Sequence, residues 1–71
     1  MKRRFEFIGG GSAKFWEIEQ VDCNVTVRFG RLGTPGQSHT NSFPVAVAAA
    51  KHTDKMIGQK IGKGYVEFLT P

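Results

Sequence analysis

The sequence predicts an α+β fold: an antiparallel β-sheet with one α-helix packed on a face, in the order ββββαβ. Three observations carry this. Apolar and polar residues alternate with a period of two from Phe5 to Ile8, Phe15 to Val21, Val25 to Phe29 and Gly64 to Leu69. Clusters rich in glycine, proline, asparagine and aspartate separate several of these runs. A single stretch, following Pro44, carries its apolar residues at 3.6-residue spacing instead.

In the first run Phe5 and Phe7 alternate with Arg4 and Glu6, and Ile8 closes it. This short strand is expected at a sheet edge, blunted by Lys2, Arg3 and Arg4. Gly9-Gly10-Gly11-Ser12 reads as a flexible connection. A Walker phosphate loop would need Gly-Lys-Ser/Thr after four spacer residues and then a helix, whereas Lys14 leads into a strand. In that second strand Trp16 and Ile18 share one face, and Glu17 and Glu19 the other. Trp16 repeats the pattern of its apolar neighbour and is expected in the core. Asp22-Cys23-Asn24 is a tight turn.

The third strand places Val25, Val27 and Phe29 on one face and Thr26 and Arg28 on the other. It runs into Gly30-Arg31-Leu32-Gly33 and stops at Thr34-Pro35-Gly36-Gln37. Pro35 and Gly36 suit the central positions of a type II turn, since proline presets φ and glycine accepts a positive one. The polar segment from Gln37 to Ser42 returns as the antiparallel partner.

Pro44 sits near the first turn of the helix, with Ser42 or a neighbour as cap. Val45, Ala49, Met56 and Ile57 form its apolar stripe, with Thr53 between them. Lys51, Asp54, Lys55 and Gly58 fall on the other side. The run Val47-Ala48-Ala49-Ala50 supplies helix propensity and lets the helix lie close to a sheet. His52 lies at the edge of the stripe as a packing residue. Gly58 and Gly62 mark the end of the helix. In the final strand Tyr65, Glu67 and Leu69 alternate with Val66 and Phe68.

A chain of 71 residues suits one small domain, 1–71, whose core must come from six phenylalanines, Trp16, Tyr65 and the aliphatics. Met1 and the strand–helix–strand ending read as an intact unit. The lone Cys23 rules out an internal disulfide and fits a reducing compartment. Cys23, His39 and His52 cannot assemble a four-ligand zinc module. No apolar run approaches the roughly 20 residues that span a bilayer, and the basic start lacks the apolar segment of a signal peptide. The expectation is a cytoplasmic protein with no membrane partner. A net charge of +4 tilts the chain towards a polyanion.

No nucleophile, base and orienting group stand in a recognisable pattern, so the sequence reads as non-catalytic and without cofactor. The carboxylates, scattered among lysines and arginines, read as solvated faces. His39 has no second ligand at metal-site spacing and reads as an exposed strand residue. Surface recognition remains. A nucleic-acid reader needs cations for phosphates and flat groups for sugars or bases. The candidate cations are Lys14, Arg28, Arg31, Lys60 and Lys63; the flat groups are Phe29 and Tyr65.

The segment Phe29-Gly30-Arg31-Leu32-Gly33-Thr34-Pro35-Gly36-Gln37 resembles the signature of the WGR domain, with phenylalanine in place of the tryptophan. Lys14-Phe15-Trp16-Glu17-Ile18 resembles the family's early strand, and Lys60-Ile61-Gly62-Lys63-Gly64-Tyr65 its closing segment. The three occur in the family's order and cover nearly the whole chain. WGR domains occur in DNA-dependent poly(ADP-ribose) polymerases and in bacterial proteins, sometimes as a short stand-alone chain. The resemblance implies an α+β fold and a DNA-binding face built from these segments.

Residue by residue, the resemblance implies that Phe29 takes the place of the tryptophan that packs against the sugar at a DNA end. Gly30 would allow close approach, and Arg31 matches the signature arginine, which in the polymerases also serves contacts between domains. Lys14, Lys60, Lys63 and Tyr65 sit in segments that match backbone-contacting regions. Phenylalanine lacks the indole N–H and part of the stacking area, and this chain has no catalytic domain for Arg31 to signal to. Phe29 also continues the inward alternation of Val25 and Val27, so a core role and a contact role both stand. Two functions follow. One is a DNA-binding module for backbone and for duplex ends, nicks or breaks, without sequence specificity. The other is a protein-interaction module that docks on a partner enzyme or self-associates.

Overall fold

The structure, a computed structural model, describes residues 2–68. The strands β1 (Lys2–Gly9), β2 (Ser12–Val21), β3 (Asn24–Arg31), β4 (Gln37–Ser42) and β5 (Val66–Phe68) form one antiparallel sheet. Their spatial order is β4-β3-β2-β1-β5, and α1 (Ala46–Gly62) packs on one face. This is the α+β arrangement that the alternation predicts.

The register explains which side chains meet. Trp16 pairs with Phe5 on one side and Phe29 on the other, and Ile18 pairs with Val27. Ladder partners share a face, so Phe5, Trp16, Ile18 and Val25 form a single apolar surface, buried against Ala49 and Ile57 of α1. Burying each large side chain contributes roughly 1.5–3 kcal/mol, so these few residues hold the helix to the sheet. Ala49 is fully buried and has no bulk beyond Cβ, which brings the helix backbone close. Val27, Phe43, Met56 and Tyr65 close the margin of the core.

Several expectations need correction. β1 is not an edge strand: β5 returns beside it after the helix, and the edges are β4 and β5. Arg3 does not blunt an edge but donates twice to the Glu67 carboxylate, both at 2.7 Å. The hydrogen-bonded turn after β3 spans residues 31–34, not Pro35-Gly36. The Thr34 amide donates to the Arg31 carbonyl at 3.2 Å, with Gly33 at φ 86°. Val45 is exposed and serves as the N-cap, and no side chain caps the helix. The Phe43 amide donates instead to the Cys23 carbonyl at 2.8 Å, anchoring the helix entry to the β2–β3 turn.

The helix continues through Gly58 to Gly62 and ends at Gly64, where φ is 100°. The Tyr65 amide donates to the Lys60 carbonyl, and the Gly64 amide to that of Ile61. This is a Schellman closure, which glycine permits because it lacks Cβ. Leu69, expected in the last strand, lies outside the described residues. Among the described residues no helix is long and apolar enough to cross a membrane.

Candidate nucleic-acid interface

The closure at Gly64 builds one corner of the site by returning Tyr65 against the last helical turn. The Lys60 Nζ lies 5.2 Å from the Tyr65 ring centroid and 5.5 Å from that of Trp16. Phe7 stands 5.4 Å from Tyr65, and the Lys14 Nζ lies 5.3 Å over Phe7. The aromatic rings hold the two ammonium groups by cation–π attraction. Burial pushes the Lys60 amine below its ordinary range, and the like charges of Lys63 and Lys14 push it further. That mutual repulsion is the electrostatic sign that three lysines converge. Among the described residues the ion pairs are made by Arg3, Arg4 and Arg28, so the rim keeps its charge on display.

Arg31 pairs with Lys14 in the β2–β3 ladder and therefore leaves the sheet on the same, helix side. Phe29 lies on that side too, one step along β3. It is 37% exposed, outside the buried core, and stacks on His39 of β4. Gly30 has an internal role. A Cβ there would meet the Gly36 Cα at 2.7 Å, so the close approach it allows is by the chain's own loop.

Arg28 does not join this rim. It faces the opposite side, where register places Arg4, Glu17 and Arg28 in a row across β1, β2 and β3. The Glu17 carboxylate accepts from the Arg4 Nη1 at 2.8 Å and from the Arg28 Nε at 3.0 Å. The Arg28 Nη1 donates to the Pro35 carbonyl at 2.8 Å. Both guanidinium groups lie over the Phe15 ring, at 4.8 and 4.9 Å.

Glu17 is buried, against the expectation of solvated carboxylates, and Glu6 and Glu67 are also paired with arginines. Burial would raise the Glu17 carboxyl, but hydrogen bonds from Arg28 and Arg4 and the nearby positive charges outweigh it and hold it below the usual carboxylate range. Sequence reasoning missed this cluster. The available signal was Phe15, a large apolar residue on the same alternating face as Glu17.

The sheet side away from the helix carries two open depressions, of about 160 and 260 Å³. Among the described residues no three His, Cys, Asp or Glu side chains gather as a metal site.

A family model of the WGR domain matches residues 1–70. The chain is 43% identical over 65 residues to Protein YehF of Escherichia coli K12. It is 34% identical over 67 residues to Uncharacterized protein YfeS of the same strain. These matches cover 92% and 94% of this chain but only 24% and 28% of those proteins. A crystal structure of a Bacteroides fragilis protein superposes with a TM-score of 0.94 at 45% identity, over 97% of this chain and 20% of that one. The chain thus spans about a quarter of the length of the curated relatives it matches.

Proposed function

The chain belongs to the WGR domain family, and from that premise we propose a non-catalytic module that binds DNA by its backbone and its ends or breaks, without sequence specificity. The observation that carries this reading is that Lys14 and Lys60 sit over the aromatic corner of Phe7, Trp16 and Tyr65, with Lys63 near enough to Lys60 for like-charge repulsion. A lysine rim neutralises phosphates and reads no base edge. Arg31 extends the rim along the sheet, and Phe29 and Tyr65 supply flat surfaces for a terminal nucleotide. Gly30 and Arg28 serve from behind, as parts of the loop and of its support. The free Cys23 thiol suits a cytoplasmic setting.

Four cations in contact with phosphates give a log–log salt slope of about −3 to −4. The test is fluorescence anisotropy at two salt concentrations with a blunt 5′-phosphorylated duplex, a closed dumbbell of equal length and a single strand. Tighter binding to the blunt duplex than to the dumbbell supports end recognition. Equal and steeply salt-sensitive binding to all three reduces the function to a basic surface.

A second reading is protein docking. It is favoured by exposed Ile8, Val66 and Phe68, which flank the larger depression on the side away from the helix. Absence of duplex binding at the lower salt, together with a concentration-dependent mass, supports that reading over the first.

A further inference from the structure

The cluster behind the sheet has a geometry that a solvated salt bridge does not need. Glu17 takes one guanidinium from β1 and one from β3, and each of its oxygens is used. Arg28 has a second arm, and that arm reaches the Pro35 carbonyl beyond the turn. Gly36, the next residue, lies against Phe15: a Cβ there would sit 2.8 Å from the Phe15 Cζ and overlap the Phe29 carbonyl oxygen. The loop is therefore folded over Phe15 and held there by Arg28. Phe29 and Arg31 lie between Arg28 and Pro35 in the chain, and register turns their side chains to the other, helix side of the sheet.

We infer that Glu17 is a positioning residue: through Arg28 and Pro35 it clamps the 30–36 loop and so presets Phe29 and Arg31 for a DNA end. The inference rests on the DNA-binding reading for its last step, but the clamp itself does not. Arg4 completes it by filling the other Glu17 oxygen, which leaves the Arg28 Nη1 free to reach Pro35. The depressed Glu17 carboxyl keeps the clamp charged across neutral and mildly acidic pH. Phe29 and Arg31 need such support. They sit at the end of β3, both exposed, and the pairing with β4 stops at Phe29.

The test uses the full chain with Glu17→Gln and, because that variant loses a buried charge, Arg28→Lys as a second. The lysine retains a cation for Glu17 but cannot bond to Glu17 and Pro35 in the same fork geometry. Amide exchange is measured by NMR without DNA at Leu32 and Thr34, whose amides donate to the Ala13 and Arg31 carbonyls. The Ile18 amide reports whether the sheet is intact. Both variants are expected to exchange about tenfold faster at the loop amides while Ile18 stays protected. Their preference for the blunt duplex over the dumbbell is expected to fall about fivefold, with the salt slope unchanged because no rim cation is lost.

Unchanged loop exchange in the folded variants overturns the clamp. Faster exchange with an undiminished end preference overturns its link to Phe29 and Arg31. If the native chain binds none of the DNAs, the proposed function falls, and the exchange data still decide the clamp.

Discussion

Phe29 and His39 stack with their ring planes 18° apart and centroids 5.9 Å apart, although they are not ladder partners. Phe29 faces Gln37 and Val27 faces His39, so the rings meet on the diagonal of the β3–β4 pair. The stack ties an otherwise polar edge strand to the aromatic side of the sheet. His39→Ala is expected to lower stability by about 0.5 kcal/mol, the lower end for aromatic pairs because both rings reach solvent. Urea unfolding followed by Trp16 fluorescence measures this. An unchanged midpoint would show that the stack holds nothing.

Two glycines make opposite predictions. Gly36 has φ 70° and no room for a Cβ beside Phe15 and Phe29. Gly36→Ala is expected to cost about 2–4 kcal/mol, from left-handed backbone strain and the steric clash together. Gly58 lies inside α1 with nothing within 4 Å of an added Cβ. Gly58→Ala is expected to gain about 0.5–1 kcal/mol, since alanine loses less backbone freedom in a helix. Thermal melts of the pair should move in opposite directions. A stabilised Gly36→Ala would contradict the packing of the loop over Phe15.

Acid stability should depend on Glu17. Its folded carboxyl titrates below the unfolded one, so its contribution is present above the unfolded value and is lost as pH falls through the folded value. Glu67, lowered by its hydrogen bonds from Arg3, has the same sign. Glu17→Gln is expected to cost about 2 kcal/mol at neutral pH. That is below the 3–5 kcal/mol typical of breaking a fully buried pair, because both arginines reach water. The deficit should shrink as the medium becomes acidic, and a deficit that stays constant to low pH would contradict the pairing.

Lys60 has the opposite dependence. Burial and two neighbouring lysines place its folded value below its unfolded one, so its charge weakens the fold at neutral pH, and this penalty fades as pH rises to the unfolded value. Lys60→Met should therefore be at least as stable as the native chain at neutral pH, with any gain fading in alkaline buffer. Denaturant midpoints across that range give the test. A large loss at neutral pH would show that cation–π contacts outweigh the repulsion.

The same lysine tests the rim. Lys60→Gln should reduce the magnitude of the DNA salt slope by about one unit. Lys51→Gln, exposed on the outer side of α1, should leave it unchanged. Equal effects from both would point to diffuse charge, without a localised site.

The chain's local periods determined the faces. Alternation alone put Trp16, Ile18 and Val27 on the helix side and Glu17 and Arg28 on the other, because a strand turns each successive side chain over. The helix stripe was legible at Ala49, Met56 and Ile57 for the corresponding reason. Val45 fitted the stripe by spacing but falls at the cap, where the helix has not yet begun. Tertiary structure alone decided who neighbours whom. It inserted β1 between β2 and β5, brought Glu67 to Arg3 across 64 positions, and gathered Lys14 with Lys60 and Lys63. Alternation within β3 sets Arg28 and Arg31 on opposite faces, and tertiary structure then engaged one with Glu17 and left the other at the rim. A residue's face depends on its own backbone geometry, whereas its charge partner depends on which distant strand pairs beside it, and that choice is made by burial of the shared core.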